Sequence, residues 1–142
     1  MNKIKTVIFG CGSIAGYTRT GSKNYLNHAY EIKNNKNFQL IACIEKNRKK
    51  KIQFQKKYQV PYSFNNLETF MRANINYDLI VVCTTTEMHY INLRKLLKKK
   101  VKNIFCEKPI CETIKEFKIL NKIIDTKKIN FFVNFNRKED ET

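Results

Sequence analysis

The sequence predicts a doubly wound α/β fold, in which a parallel six-stranded sheet with the strand order 3-2-1-4-5-6 carries helices on both faces. The first observation is that six short apolar runs alternate with five amphipathic segments, as in parallel sheets whose strands are joined by crossover helices. The second is that three of the four glycines fall within residues 10–16, directly after the first apolar run. With 142 residues the chain has the length of one domain.

Six runs predict strands, at residues 4–9, 38–45, 60–64, 77–85, 101–107 and 129–135. The second run is continuously apolar up to its closing acid, which is typical of a strand that is buried on both faces of a sheet, and the last three runs are further candidates for buried strands. The third contains Pro61, which is tolerated only at an edge or at the start of a strand. We therefore place the third strand at an edge.

Five segments predict helices, at residues 25–34, 48–58, 65–73, 87–100 and 112–128. A polar loop over residues 17–24 precedes the first helix, and Asn47 is placed to cap the second. Helical spacing of the apolar residues predicts which side chains face the core. They are Leu26, Ala29, Tyr30, Ile32, Ile52, Phe54, Leu67, Phe70, Met71, Ile91, Leu93, Leu96, Leu97, Ile114, Phe117, Leu120, Ile123 and Ile124.

The charge of the chain is strongly positive, with 28 Lys+Arg against 12 Asp+Glu and a net charge of +16. Most of these cations are lysines, and basic residues occur in every helical segment, whereas arginine, the usual reader of bases, is scarce. We interpret the lysines as solvated helix faces, and a basic nucleic-acid-binding protein is the alternative. No apolar run approaches the roughly 20 residues of a membrane span, and the N-terminus lacks a cleavage site, so we expect a cytoplasmic protein.

The five cysteines do not predict a disulfide framework or a metal site. Their number is odd, no C-x-x-C pair occurs, and no histidine lies near Cys106 and Cys111, the two that are closest in sequence. We expect most of them to be small buried side chains.

The glycine turn after the first strand has the pattern G-x-G-x-x-A, which indicates dinucleotide binding when it joins a strand to a helix. Gly10 permits the sharp turn, Gly12 lets the backbone approach a pyrophosphate, and Ala15 allows close helix packing. Backbone N–H groups at the start of a helix then face the anion. We assign the whole turn to cofactor binding: Gly10, Cys11, Gly12, Ser13, Ile14 and Ala15.

Glu45 closes the second strand, where a carboxylate binds the ribose 2′-hydroxyl of NAD. The same carboxylate repels a 2′-phosphate, so we predict NAD rather than NADP as the cofactor. Lys46, Arg48 and Lys49 follow directly and keep NADP open as the alternative.

Five motifs in this order resemble the N-terminal Rossmann domain of the Gfo/Idh/MocA oxidoreductases. They are GCGSIAG at residues 10–16, LIACIE at 40–45, VVCTTTEMH at 81–89, EKP at 107–109 and FVNFNR at 132–137. The resemblance extends over essentially the whole chain. It implies binding of NAD or NADP, and hydride transfer to or from a sugar, cyclitol or nucleotide-sugar.

The resemblance also implies roles for residues of the E-K-P motif. Lys108 matches the lysine that contacts both the nicotinamide ribose and the substrate hydroxyl in the family, so it is the candidate catalytic residue. An ammonium group fixed beside Glu107 and Pro109 lowers the pKa of a sugar hydroxyl and helps its proton leave. Glu107 and Lys108 are both assigned to the cofactor site.

Three further positions match the family's loop after the fourth strand. Thr84 and Thr85 stand where the family has a Thr-Pro pair against the cofactor, and the absence of proline at Thr85 is expected to loosen the loop. His89 matches the histidine that opens the next helix, and it is assigned to the cofactor site in a supporting role. At the end of the sixth strand, Asn136 and Arg137 match the substrate side.

The predicted domain organisation is a cofactor-binding domain over residues 1–137 and a tail over 138–142 that departs from the family pattern. The family's C-terminal substrate domain is expected to be absent. Such a chain should bind NAD(P) with little or no turnover, because the acid–base partner and a closed site would be missing. The substrate, a sugar or nucleotide-sugar, would be held by that missing domain, and the oligomeric state is left open. A non-catalytic regulator that binds NAD(P) is a further alternative.

Overall fold

A computed structural model describes residues 1–16 and 27–135 of the protein. Its strands are β1 (Ile4–Phe9), β2 (Phe38–Ile44), β3 (Tyr62–Phe64), β4 (Leu79–Val82), β5 (Asn103–Glu107) and β6 (Asn130–Asn134). Its helices are α1 (His28–Asn34), α2 (Arg48–Tyr58), α3 (Leu67–Arg72), α4 (Thr86–Leu97) and α5 (Ile114–Lys127). The order of elements is the predicted one, with most boundaries moved inward by a few residues.

The six strands form one sheet in the order β3-β2-β1-β4-β5-β6, and every neighbouring pair is parallel. The predicted doubly wound topology is therefore confirmed. The order reverses between β1 and its neighbours, because β2 lies on one side of β1 and β4 on the other. The carboxyl ends of β1, β2 and β4 consequently meet at one edge, which is where ligands bind in open α/β sheets.

The two faces of the sheet have separate cores. One is covered by α3, α4 and α5, whose buried residues include Phe70, Leu93 and Leu120. The other is covered by α1 and α2 through Ala29, Ile32, Phe54 and Tyr58. Within the described residues no helix has both the length and the apolar character needed to cross a bilayer.

Helix α1 is joined to the glycine loop by backbone hydrogen bonds. The N–H of His28 donates to the carbonyl of Ile14 at 3.1 Å, and the N–H of Ala29 donates to the carbonyl of Ala15 at 3.0 Å. The loop and the start of α1 are thus held together although residues 17–26 separate them in the chain. Asn27 caps α1 by accepting the N–H of Tyr30 at 2.8 Å. Leu26 and the predicted loop at residues 17–24 lie outside the described residues.

Some side chains predicted to face the core are exposed instead. Ile52 is one, because the buried face of α2 is set by Phe54 and Tyr58, four residues apart, and Ile52 lies on the opposite side. The others are Tyr30, Ile91, Ile114 and Phe117. The predicted cap is confirmed, since the Asn47 side chain accepts the N–H of Lys50 at 3.0 Å.

The sixth strand is also more exposed than predicted. β6 lies at the edge of the sheet, and Phe132, which pairs with Phe105 of β5, is 56% exposed. Phe105 belongs to the face covered by α1 and α2. Those two helices cross toward β2 and β3, so they leave this part of the face uncovered.

Candidate functional site

A cavity of about 320 Å³ opens at the carboxyl ends of β1, β2 and β4. It brings together five of the predicted site residues: Gly10, Gly12, Glu45, Thr84 and Thr85. They come from three different strand ends, so the topology alone places them side by side. The cavity is therefore at the switch point, where the sequence predicts the dinucleotide.

Gly10 is required by the backbone itself. Its φ is +93°, which side-chain-bearing residues rarely adopt, and an added Cβ would lie 2.7 Å from the carbonyl carbon of Cys83 and from the N of Thr84. The N–H of Gly10 donates to the carbonyl of Ile44 at 2.8 Å. Gly10 thus lets β1 turn away between the ends of β2 and β4.

Gly12 is different, because an added Cβ there would meet no atom of the described residues within 4 Å. The packing of these residues therefore does not require glycine at this position. Within the described part of the chain, the N–H groups of Gly12, Ser13 and Ile14 have no hydrogen-bond partner. A turn of free N–H groups beside open space fits a pyrophosphate, which needs donors and a close backbone approach.

The remaining loop residues hold this turn in place through burial and hydrogen bonds. The Cys11 side chain is buried, and its N–H donates to Oε2 of Glu45 at 2.9 Å, so Cys11 links the loop to the end of β2. Ala15 is also buried, and its N–H donates to the carbonyl of Gly12 at 3.1 Å. Gly16 has a φ of +135°, and a Cβ there would meet the Tyr58 hydroxyl at 2.5 Å.

Glu45 is held in a fixed orientation by the backbone on both sides. Its Oε2 accepts the N–H of Cys11, and its Oε1 accepts the N–H of Asn47 at 2.8 Å. A carboxylate has about four lone-pair sites, so both oxygens keep acceptor capacity. The group is thus placed to accept hydroxyl donors from a ribose at the mouth of the cavity.

The cavity is also lined by residues that are not predicted as site residues from the sequence. Asn65 and Asn66 follow β3, and Lys50 and Lys95 come from α2 and α4. Together with Lys46, the lysines outnumber the two lining glutamates by three to two. This excess of positive charge suits an anionic ligand. These positions carry no motif, and the lysines resemble the many others on the surface.

The loop between β4 and α4 lines the same cavity. The Thr84 hydroxyl is buried without a hydrogen-bond partner in the described residues, and so is free to bind a ligand. Thr85 takes a φ of −66°, the value that a proline ring fixes, and its carbonyl accepts the N–H of Met88 at 2.9 Å. The backbone at Thr85 therefore has the conformation that the family's proline would impose.

His89 lies behind this loop and does not line the cavity. The residue is buried, with an exposed fraction of only 1%, and its Nδ1 lies 2.6 Å from the carbonyl oxygen of Pro109. A carbonyl only accepts, so Nδ1 carries the hydrogen and donates it. Nε2 is buried and has no partner in the described part of the chain.

The E-K-P motif begins at the last residue of β5, on the other side of β4 from the cavity. Oε1 of Glu107 accepts from His28 Nε2 at 2.5 Å and from the Asn134 side-chain amide at 2.8 Å. Lys108 is exposed, and the Lys108–Pro109 peptide bond is cis. Neither His28 nor Asn134 is predicted as a site residue from the sequence, because they lie 79 and 27 residues from Glu107 in the chain. Asn136 and Arg137 lie outside the described residues.

Four of the five cysteines are buried, as predicted. A hydrogen bond with Cys43, followed by burial, raises the pKa of the Cys11 thiol. Burial likewise raises the pKa of Cys83, and raises that of Cys106 to about 12. In the described residues no three His, Cys, Asp or Glu side chains are grouped so as to hold a metal ion.

The parallel sheet, the strand order and the glycine turn define the class of protein: a dinucleotide-binding Rossmann domain. The chain belongs to the Gfo/Idh/MocA oxidoreductases, since the family described as "Oxidoreductase family, NAD-binding Rossmann fold" matches residues 4–135. The resemblance seen in the motifs is thereby confirmed. Comparison with curated proteins gives no match.

Solved structures with the same fold include several dehydrogenases. A probable dehydrogenase from Thermotoga maritima superposes with a TM-score of 0.79 at 20% identity, over 95% of this chain and 37% of that one. For myo-inositol 2-dehydrogenase from Lactobacillus plantarum the TM-score is 0.77 at 22% identity, over 99% and 38%. For the WlbA dehydrogenase from Bordetella pertussis, solved with NADH and UDP-GlcNAcA, it is 0.75 at 22% identity, over 94% and 38%. This chain thus spans little more than a third of their length.

Proposed function

We propose that these residues form the cofactor half of an oxidoreductase site, which binds NAD(H) and takes part in hydride transfer at a hydroxyl-bearing carbon of a sugar, cyclitol or nucleotide-sugar. The observation that carries the proposal is the geometry at Gly12. Three successive N–H groups without a partner among the described residues stand at a point where the packing of those residues leaves open space. A turn that served only to join a strand to a helix would not need glycine there.

The cavity is the proposed binding site for the adenosine half of the cofactor. Glu45 would accept the ribose hydroxyls, and the pyrophosphate would receive the N–H groups of Gly12, Ser13 and Ile14. The fixed carboxylate of Glu45 also supports NAD over NADP, because a 2′-phosphate would be brought against a negative charge. Of the three basic residues that leave NADP open, only Lys46 lines the cavity.

The nicotinamide half would extend across β4 toward the end of β5, where Lys108 is exposed. When bound, NAD supplies the hydride-accepting group of the reaction. The Lys108 ammonium would stabilise negative charge on the substrate oxygen and so help its proton leave. Thr84, whose hydroxyl has no partner in the described residues, would hold the cofactor between the two halves.

The substrate class rests on the family and on its relatives. One solved relative is a myo-inositol dehydrogenase, and another was solved with the nucleotide-sugar UDP-GlcNAcA. Those chains are more than twice as long as this one, and we propose that the substrate is bound mainly outside this Rossmann domain. The domain by itself is then expected to bind cofactor with little turnover.

Titration of the purified chain with NADH, followed by nicotinamide fluorescence and by calorimetry, tests the proposal. We expect saturable binding, and weaker binding of NADPH under the same conditions. ADP should compete, because it occupies the cavity at Glu45. The proposal is overturned if neither NADH nor ADP binds saturably at millimolar concentration to a chain that is folded by circular dichroism.

A further inference from the structure

Both histidines of this two-histidine chain contact the E-K-P segment. His28 Nε2 lies 2.5 Å from Glu107 Oε1, and His89 Nδ1 lies 2.6 Å from the carbonyl oxygen of Pro109. They come from opposite faces of the sheet, since His28 begins α1 and His89 lies in the first turn of α4. The residues on either side of Lys108 are thus each held by one histidine.

The two contacts are shielded from water to different degrees. The His89 contact is buried, and its bond to Pro109 fixes the tautomer with the hydrogen on Nδ1. The side chains of His28 and Glu107 are 18% and 13% exposed. The His28 ring also packs edge-on against Phe105, with ring centroids 5.5 Å apart. His28 is therefore oriented by a ring contact as well as by Glu107.

Lys108 itself is exposed, and no contact of its side chain occurs among the described residues. The position of its ammonium group thus depends on how firmly the backbone on either side is held. A flexible four-carbon side chain on a mobile backbone would lose rotational freedom on contacting the cofactor, and this would weaken binding.

We propose that His28 and His89 are positioning residues for Lys108, which hold Glu107 and Pro109 so that the lysine meets the nicotinamide half of the cofactor. The inference rests on the proposed function, because it takes Lys108 to act at that half. Neither histidine need touch the cofactor. Their effect is exerted through Lys108, and it should disappear when Lys108 is removed.

The test compares affinities for NADH and ADP in matched variants. Removing either contact, in His28→Leu or His89→Ala, should weaken NADH binding about tenfold, the loss of roughly one hydrogen bond, and leave ADP binding within about twofold. The matched controls are His28→Gln and His89→Asn, whose amides replace the lost N–H donor at Nε2 and Nδ1. They should restore NADH affinity to within about threefold of the wild type.

A double-mutant cycle separates positioning from general damage. In a Lys108→Met background, His28→Leu should cause no further loss of NADH affinity, because the group it positions is gone. If the His89→Ala variant does not fold, the measurements on His28→Leu test the inference, since the His28 side chain is partly exposed.

The outcomes distinguish the two proposals. A wild-type chain that binds neither NADH nor ADP overturns the proposed function. A wild-type chain that binds both, together with His28→Leu binding NADH as tightly as wild type, overturns the inference alone. The inference is also overturned if His28→Leu weakens NADH binding equally with Lys108 and in the Lys108→Met background. It is likewise overturned if His28→Leu weakens ADP binding as much as NADH binding.

Discussion

Replacing Gly12 with alanine should abolish cofactor binding without harming the fold. In the part of the chain that the structure describes, no atom lies within 4 Å of an added Cβ, and the φ of Gly12 lies outside the left-handed region. Replacing glycine by alanine in a compatible conformation reduces the freedom of the unfolded chain and adds about 0.4–1 kcal/mol of stability. We therefore expect the free energy of unfolding to be unchanged or slightly higher.

The expected effect on binding is much larger. The added methyl group would occupy the space through which a phosphate approaches the N–H groups of Gly12 and Ser13. A hydrogen bond to a charged group contributes about 1.5–3 kcal/mol, so losing two of them would cost about 3–6 kcal/mol. Each 1.4 kcal/mol is a factor of about ten, which predicts a loss of more than 100-fold in NADH affinity.

The assays are NADH titration by fluorescence and urea unfolding by circular dichroism, on the same preparations. Gly10→Ala is the matched control, because it adds the same methyl group two residues away, where the φ is +93° and backbone atoms lie 2.7 Å from the Cβ. Left-handed backbone alone costs about 1–2 kcal/mol for a residue with a Cβ, and the overlap adds to it. The reasoning is refuted if Gly12→Ala binds NADH like wild type, or if it loses as much stability as Gly10→Ala.

Four other predictions concern specificity, the loop after β4, the core and the thiols. Glu45→Gln should narrow the preference for NADH over NADPH by at least about tenfold in parallel titrations, since the charge that repels a 2′-phosphate is removed; an unchanged ratio would count against Glu45 as the selector. Thr85→Pro should raise the free energy of unfolding by about 0.4–1 kcal/mol in urea, because φ is already −66°; a destabilised variant would contradict this. Leu120→Ala, at a fully buried position, should lower the free energy of unfolding in urea by about 2–5 kcal/mol. Phe117→Ala on the same helix, at a residue 47% exposed, should lower it far less. Equal losses would contradict the burial of Leu120 beneath α5. In the native protein only Cys111 should react quickly with a thiol reagent, because the other four thiols are buried and Cys111 is partly exposed, although burial raises the pKa of Cys111 as well. Two or more fast thiols would contradict this prediction.

The alternation of apolar runs and amphipathic segments was enough to predict the topology, because a parallel sheet permits few ways of connecting its strands. Which individual side chains face the core was harder to predict. Ile52 and Phe117 fit a helical stripe, but which stripe is buried depends on where each helix crosses the sheet. Exposure of Phe132 likewise depends on the strand order, since α1 and α2 cover only the opposite half of their face.

The candidate site shows the same division between local and distant information. The glycine turn and the acid at the end of β2 are recognisable because the chemistry of each is contained in a few consecutive residues. The bond between His28 and Glu107 joins residues 79 apart, and nothing local in the sequence marks it. The separation of Gly16 from Asn27 in the chain also hides the fact that the N–H of His28 donates to the carbonyl of Ile14.

The three described glycines are constrained in different ways. Gly10 and Gly16 have positive φ and crowded surroundings, so a side chain at either position would strain the fold. Among the described residues nothing places either constraint on Gly12, and we expect alanine there to make the free protein no less stable. A lineage that stopped using the cofactor would be free to replace Gly12 long before its other glycines. We therefore expect the residue at this position in related sequences to indicate which of them still bind a dinucleotide.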